Sequence, residues 1–224
     1  MGKTNKSKVA IIGYGTIGQI VATNLIRNNR PVIIAGRDFT KAKNLSGNFG
    51  SLAQPMEIGD AIKEADIIIM AVWFDVIKEL FFQYEEVFRG KIIVDPSNAV
   101  GPDGKGGFAK KIGQNESAGK LNAELLPKGA KLAKALGTLS SGSLAGASNQ
   151  KPELAVLFYA TDDKSINGEI EELIRDNGFE PLRIGGIDQS IRIEVFGDLH
   201  EFGALGKTVT LSEAKKKIGT GALT

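Results

Sequence analysis

Residues 9–18 read Val-Ala-Ile-Ile-Gly-Tyr-Gly-Thr-Ile-Gly, an apolar strand running into Gly-x-Gly-x-x-Gly and at once into the amphipathic stretch Ile17 to Ile26. In that context each glycine has a physical task. Gly13 allows a tight turn after the strand, Gly15 lets the backbone approach a pyrophosphate, and Gly18 lets the helix pack closely on the sheet. Phosphates then sit on the helix N-terminus, where free N–H groups and the helix dipole favour negative charge. The chain has 28 glycines, so the motif alone also fits a sharp turn of purely structural use. The strand before it and the helix after it favour a dinucleotide site.

Apolar runs and helical stretches alternate along most of the chain, the pattern of a parallel sheet with helices on both faces. Buried parallel strands read as continuous apolar runs. Candidates are Val9 to Ile12, Val32 to Ala35, Ile67 to Val72, Ile92 to Val94, Ala155 to Tyr159 and, last, Phe179 to Ile184. The segment Ala130 to Leu136 is interrupted by Lys131 and Lys134, but its place after a helix and a loop favours strand. Helices are expected at Ile17 to Asn28, Met56 to Glu64, Asp75 to Phe82, Ser117 to Leu126 and Ile166 to Asn177. The expected fold is α/β, a Rossmann-type, doubly wound and largely parallel sheet of about seven or eight strands. Residues 1–184 would form the nucleotide-binding domain. Residues 185–224, a short irregular extension ending in Lys215-Lys216-Lys217, would serve substrate or dimer contacts, the lysines reading as a solvated helix face or tail. The glycine-rich stretch Pro96 to Asn115 reads as a long loop over the C-terminal edge of the sheet, where functional loops of this architecture lie.

Composition removes several classes of function. Among 224 residues, 28 Lys+Arg face 26 Asp+Glu, so the charge balance calls for neither nucleic acid nor an acidic membrane. Without cysteine there are no disulfides, thiolate metal sites or Cys nucleophiles, and a single histidine, His200, excludes an imidazole cluster. No metal site is expected. The polar stretch Met1 to Lys8 lacks the apolar core of a secretory signal, and the longest apolar run, Ile67 to Phe74, is too short to cross a bilayer. The expectation is a soluble, cytoplasmic protein.

An NAD enzyme usually places Asp or Glu on the ribose hydroxyls about twenty residues beyond the fingerprint. Here the second strand ends Ala35-Gly36-Arg37. The Arg37 guanidinium can hydrogen-bond a phosphate and stack on adenine, and Lys41 adds a second charge one helical turn on. This points to NADP(H). The alternative for Arg37 and Lys41 is an ordinary surface pair. Asp38 would repel a phosphate if it pointed inward, but it suits the N-cap of a helix Phe39 to Leu45.

Ligands of open α/β sheets lie outside the carboxyl ends of the strands, so the tips Ala71-Val72-Trp73-Phe74 and Asp95-Pro96-Ser97-Asn98 should border the nicotinamide. Trp73 and Phe74 either wall a flat redox partner or pack under the next helix. Asn98 either offers its amide to the cofactor or closes an Asx-turn after Pro96. Asp95 reads as a buried, hydrogen-bonded strand end. No Tyr-x-x-x-Lys is present, and His200, flanked by carboxylates, reads as a surface or interface residue rather than a proton donor, so no catalytic acid is assigned.

Taken together, Gly13-Tyr14-Gly15-Thr16-Ile17-Gly18, Gly36-Arg37 with Lys41, Ala71-Val72-Trp73 and Asp95-Pro96-Ser97-Asn98 resemble the NADP-dependent oxidoreductase family related to coenzyme F-420:NADP reductases, whose fold is also that of the reductase domain of the six-transmembrane metalloreductases. Leu125-Leu126-Pro127 and Lys134 to Leu139 are similar to the family's leucine-proline turn and the strand after it. The resemblance implies that Gly36, Arg37 and Lys41 hold the 2′-phosphate, that Thr16 and Ile17 cover the pyrophosphate, and that Ala71, Trp73 and Asn98 lie beside the nicotinamide. The cofactor-binding set is then Gly13, Tyr14, Gly15, Thr16, Ile17, Gly36, Arg37, Lys41, Ala71, Val72, Trp73 and Asn98. Gly137, where the family often has Asn or His, and Trp73, near its usual Pro, reshape the substrate side.

The function expected is hydride transfer between NADP(H) and a small, flat acceptor resembling a deazaflavin or flavin, since such chemistry relies chiefly on cofactor placement. The rival readings are a nucleotide-binding sensor or scaffold without turnover and a small carbonyl or imine reductase. The latter ought to add a long helical dimerisation domain, for which about forty residues leave little room. A homodimer is expected from the apolar-dotted tail Ile191, Ile193, Val195, Phe196, Leu199, Phe202 and Leu205, which must bury those groups against its own body or a partner.

Overall fold

The computed structural model describes residues 6–221, so residues 1–5 of the polar N-terminal stretch lie outside the described residues. The first half alternates strand and helix: β1 (Val9–Ile12), α1 (Thr16–Arg27), β2 (Val32–Ala35), α2 (Phe39–Phe49), β3 (Ala53–Pro55), α3 (Ile58–Glu64), β4 (Ile67–Met70), α4 (Phe74–Gln83) and β5 (Ile92–Asp95). A hairpin of β6 (Val100–Pro102) and β7 (Phe108–Lys110) follows, then α5 (Ala118–Glu124), β8 (Lys131–Lys134) and α6 (Ser141–Gly146). The chain continues through β9 (Val156–Ala160), α7 (Asn167–Asp176), β10 (Glu180–Gly185), the short α8 (Ser190–Ile193) and α9 (Leu211–Gly221).

Eight strands form one sheet in the order β10-β9-β8-β5-β4-β1-β2-β3, a doubly wound Rossmann-type fold. The pairs from β3 to β8 are all parallel, and β8 meets β9 through one antiparallel bridge, Lys134 opposite Ala160. Winding reverses between β1 and β4. Ile12 stands opposite both Ala35 and Met70, so the turns leaving β1, β2 and β4 meet at one end of the sheet.

The pleat explains why these strands are apolar throughout. Val9, Ile11, Ile34, Ile67 and Ile69 face the helix layer that includes Val21 and Leu25 of α1 and Ile170 and Leu173 of α7. Their neighbours Ala10, Ile12, Ile33, Ile68 and Met70 face Ile62, Ile77 and Phe81 on the opposite layer. Each such side chain, taken out of water, contributes roughly 1.5–3 kcal/mol. A third cluster joins Val156 and Phe158 of β9 to Ile193, Leu199, Leu205, Val209 and Ala214 of the C-terminal segment. The tail therefore buries part of its apolar content on its own chain.

Several features differ from the sequence reading. The edge strand β3 escaped it, because Gln54 and Pro55 break the apolar run and proline is tolerated at a sheet edge. The stretch 96–115 is not loop throughout but carries the β6–β7 hairpin. The extension is irregular between 194 and 210 and then forms a helix, α9, although the exposed Lys215, Lys216 and Lys217 on it agree with the solvated helix face read from the sequence. Asp38 does cap a helix, accepting the Lys41 N–H at 3.1 Å, but that helix runs on to Phe49.

Candidate functional site

The glycine turn is built as tightly as its spacing demands. Gly13 has φ 103°, a region open to glycine, and a Cβ there would lie 2.3 Å from the Ala71 carbonyl oxygen. A Cβ on Gly18 would lie 2.1 Å from the Gly13 oxygen, which locks α1 against the turn. At Gly15, by contrast, a Cβ would meet nothing within 4 Å. Gly15 is also the N-cap of α1 and supplies no side-chain cap, so the positive end of the helix opens onto free space.

At the tip of β2, Gly36 lies beneath the Tyr14 ring, where a Cβ would come within 2.3 Å of Cε1. The Tyr14 hydroxyl donates to the Asp38 carbonyl and accepts the Asp38 N–H, both at 3.1 Å. Tyr14 thus pins the loop that carries Arg37. The Asp38 carboxylate is turned to its capping role, while Lys41 lies exposed on the first turn of α2 with Nζ 3.6 Å from Asp38 Oδ2.

The opposite side is formed by the ends of β4 and β5. Trp73 precedes α4 and is 65% exposed, so it does not pack beneath that helix. Asn98 is tied at both ends, its Nδ2 donating to the Gly137 carbonyl at 3.2 Å and its Oδ1 accepting the Val195 N–H at 2.7 Å. The turn after β5 belongs to Asp95, whose Oδ1 accepts the Ser97 N–H at 2.7 Å.

Beneath this rim lies a buried charged cluster that sequence reasoning missed. Asp95 Oδ2 receives Asn122 Nδ2 at 2.9 Å and Lys134 Nζ at 3.0 Å, and Lys134 also donates to the Ser97 carbonyl. Lys134 is 2% exposed, with Glu194 Oε1 4.0 Å from its ammonium. The signal was present, since a lysine ending one buried strand stands opposite an aspartate ending its neighbour. Such a pair offsets the cost of burying either charge.

His200 corrects the sequence reading. Instead of lying at a surface or interface it is 1% exposed, because the tail folds back over the sheet edge. Its Nδ1 accepts the Phe202 N–H at 2.9 Å, so Nε2 carries the proton and donates to the Gly137 carbonyl at 3.1 Å. Burial pushes its pKa down to about 4. Beside it, burial pushes the Glu201 carboxyl up, but hydrogen bonds from the Ser143 hydroxyl and the Ser140 N–H outweigh this and hold it below the ordinary range.

These parts surround one cavity of about 1130 Å³. Of the twelve expected cofactor residues, Gly13, Tyr14, Gly15, Thr16, Ile17, Gly36, Arg37, Ala71, Val72, Trp73 and Asn98 line it, and Lys41 does not. Val100 and Phe108 of the hairpin and Val195, Phe196, His200 and Phe202 of the tail line it too, residues that the sequence reading did not single out within the two segments to which it gave functional contacts. Ser97 lines the cavity as well, and its hydroxyl is buried without a hydrogen-bond partner. Among the described residues no group of three or more acidic or imidazole side chains is placed to hold a metal, and no helix is long and apolar enough to cross a membrane.

Residues 8–99, which carry the glycine turn, the Arg37 loop and the Trp73 and Asn98 tips, match the family described as NADP oxidoreductase, coenzyme F420-dependent. No curated protein matches the chain. Among solved structures, a hypothetical protein from Sinorhizobium meliloti is 27% identical with a TM-score of 0.80, covering 93% of this chain and 97% of its own. A candidate F420-dependent NADP reductase from Arthrobacter sp. FB24 is 20% identical with a TM-score of 0.70, covering 82% of this chain and 86% of its own. A reductive aminase from Aspergillus terreus, solved with NADPH and ethyl levulinate, is 18% identical with a TM-score of 0.60. The match covers 83% of this chain but only 57% of the aminase, so it shows the shared fold alone. The cavity is completed by the C-terminal segment, beyond the residues that match that family.

Proposed function

We propose that the chain is an NADPH-dependent oxidoreductase that passes hydride between NADP(H) and a flat acceptor resembling a deazaflavin or flavin. One observation carries the choice of dinucleotide: at the tip of β2, Arg37 lines the cavity while the carboxylate next to it in the chain, Asp38, is engaged as the cap of α2. The open Gly15 turn, the uncapped end of α1 and the unpartnered Ser97 hydroxyl fit the polar parts of such a cofactor. When bound, the cofactor supplies the hydride.

The chain's own residues bind and orient. The N-terminus of α1 with Thr16 and Ile17 holds the pyrophosphate, and Arg37 holds the 2′-phosphate from a loop fixed by Tyr14 and Gly36. Lys41, outside the cavity, adds long-range charge. Ala71, Val72, Trp73 and Asn98 set the nicotinamide end, Asn98 acting through the carbonyl and N–H it ties together. Residues 185–224 serve as the acceptor side. His200, neutral and donating to a backbone carbonyl, is not a proton source, so the acceptor's remaining proton comes from solvent.

Calorimetric titration tests the cofactor, with NADPH expected to bind far more tightly than NADH. Stopped-flow oxidation of NADPH by riboflavin or a deazaflavin tests turnover; binding without oxidation by any acceptor favours a sensor or scaffold. The reading includes a cytoplasmic location and a homodimer. The latter keeps limited support, because Ile193, Leu199 and Leu205 are buried within the chain. A monomer mass by light scattering rejects it.

A further inference from the structure

Phe196 combines two unfavourable features on one residue. Its φ is 74°, a backbone region that bulky side chains rarely adopt, and its ring is 53% exposed. The segment around it leaves little freedom. A Cβ on Gly197 would lie 2.4 Å from the Ile191 and Arg192 carbonyl oxygens, and one on Gly203 would lie 1.9 Å from the Gly197 oxygen. Val195, just before it, is held by its N–H on Asn98.

The segment is also fastened at both ends. The Glu194 carboxylate accepts the Ala118 N–H at 2.9 Å, the Gly119 N–H at 2.8 Å and the Ser117 hydroxyl at 2.8 Å at the start of α5. Glu201 does the same at the start of α6, accepting the Ser140 N–H and the Ser143 hydroxyl, each at 2.6 Å. Phe196, between these anchors, and Phe202, just after the second, line the same cavity as the glycine turn. The lining contributed there by Val100, Phe108, Leu139, Val195, Phe196 and Phe202 bears no charge. At about 1130 Å³ the cavity exceeds the roughly 300–1,000 Å³ of a single-ligand pocket, leaving room for a second molecule beside the dinucleotide.

We propose that Phe196 is an acceptor-specificity residue, its ring forming the platform on which a planar, uncharged ring system lies, with Glu194 and Glu201 as the positioning residues that hold it there. The proposal rests on the NADP(H) reading above and adds the residue that selects the second substrate. A strained backbone at a ligand wall, kept where glycine would be easier, is accounted for if the ring itself is used.

The test uses the full chain loaded with saturating NADP⁺ and riboflavin as the planar probe. Trp73, the one tryptophan in the sequence, lines the cavity and reports binding by its fluorescence. Phe196→Ala and Phe196→Gly are expected to weaken riboflavin about tenfold, the scale of one aromatic contact, with NADP⁺ affinity changed less than about twofold. Phe196→Tyr should restore riboflavin binding. Phe196→Gly should melt no lower than the parent, since glycine relieves the backbone, and this separates loss of the ring from loss of the fold. Riboflavin binding unchanged in both variants, or absent from the NADP⁺-loaded parent, overturns the proposal. Failure of NADP⁺ to bind overturns the cofactor reading instead.

Discussion

The imidazole of His200 donates from Nε2 to the Gly137 carbonyl at 3.1 Å, and that same carbonyl receives Asn98 Nδ2 at 3.2 Å. One backbone oxygen therefore joins the tail to the tip of β5, and the Phe202 N–H on Nδ1 requires that the histidine be neutral. Between pH 6.5, its ordinary value, and about 4, its value in the fold, the unfolded chain binds a proton that the native chain does not. Stability should be full above pH 6.5 and fall as the pH drops toward 4, by up to about 3 kcal/mol. Denaturant unfolding across that range checks this, and His200→Gln, which keeps an N–H donor without titrating there, should flatten the slope.

The same neutrality bears on turnover. If His200 only positions the wall, His200→Gln should keep most of the NADPH oxidation rate with any acceptor found. Single-turnover stopped-flow measures it; a folded, NADPH-binding variant without hydride transfer would instead favour an acid-assisted carbonyl reductase.

Arg37 lines the cavity from a loop whose carboxylate, Asp38, caps α2. A charge-assisted hydrogen bond is worth about 1.5–3 kcal/mol, so Arg37→Ala should weaken NADPH by roughly ten- to a hundredfold. NADH affinity should hardly change. Titration calorimetry with both nucleotides decides it, and an equal loss for the two would remove the 2′-phosphate assignment.

Gly36 and Tyr14 should behave as a unit. The methyl of Gly36→Ala would meet the Tyr14 ring at 2.3 Å, forcing the ring off Asp38 at a cost of about 1–3 kcal/mol. In a Tyr14→Ala background the same substitution should cost little. Denaturant midpoints for the four proteins of this double-mutant cycle give the coupling directly.

The sheet was legible because its strands are buried on both faces: Val9–Ile12, Val32–Ala35 and Ile67–Met70 leave no position where a polar residue would survive. The glycine turn was legible for a related reason, as Gly13 and Gly18 are each hemmed by backbone atoms and no other residue fits. The acceptor side was not. Phe196, Phe202 and His200 reach the cavity only because Glu194 and Glu201 dock on helices 75 or more positions and 58 or more positions away, and such pairings leave no periodicity in a single sequence. Lys134 looked like an interruption because its partner, Asp95, lies on another strand.

The cavity has a timing written into it. The glycine turn and the Arg37 loop leave the ribosome early, whereas the wall around Phe196 comes near the end of synthesis, on the order of ten seconds or more later at usual elongation rates. During that interval the β9 face that Leu199, Leu205 and Val209 will cover has no clothing of its own. On the function proposed above, a nascent chain would carry its dinucleotide-binding turn before its acceptor wall, and translation that stops short of the tail would leave the β9 face as an uncovered apolar surface.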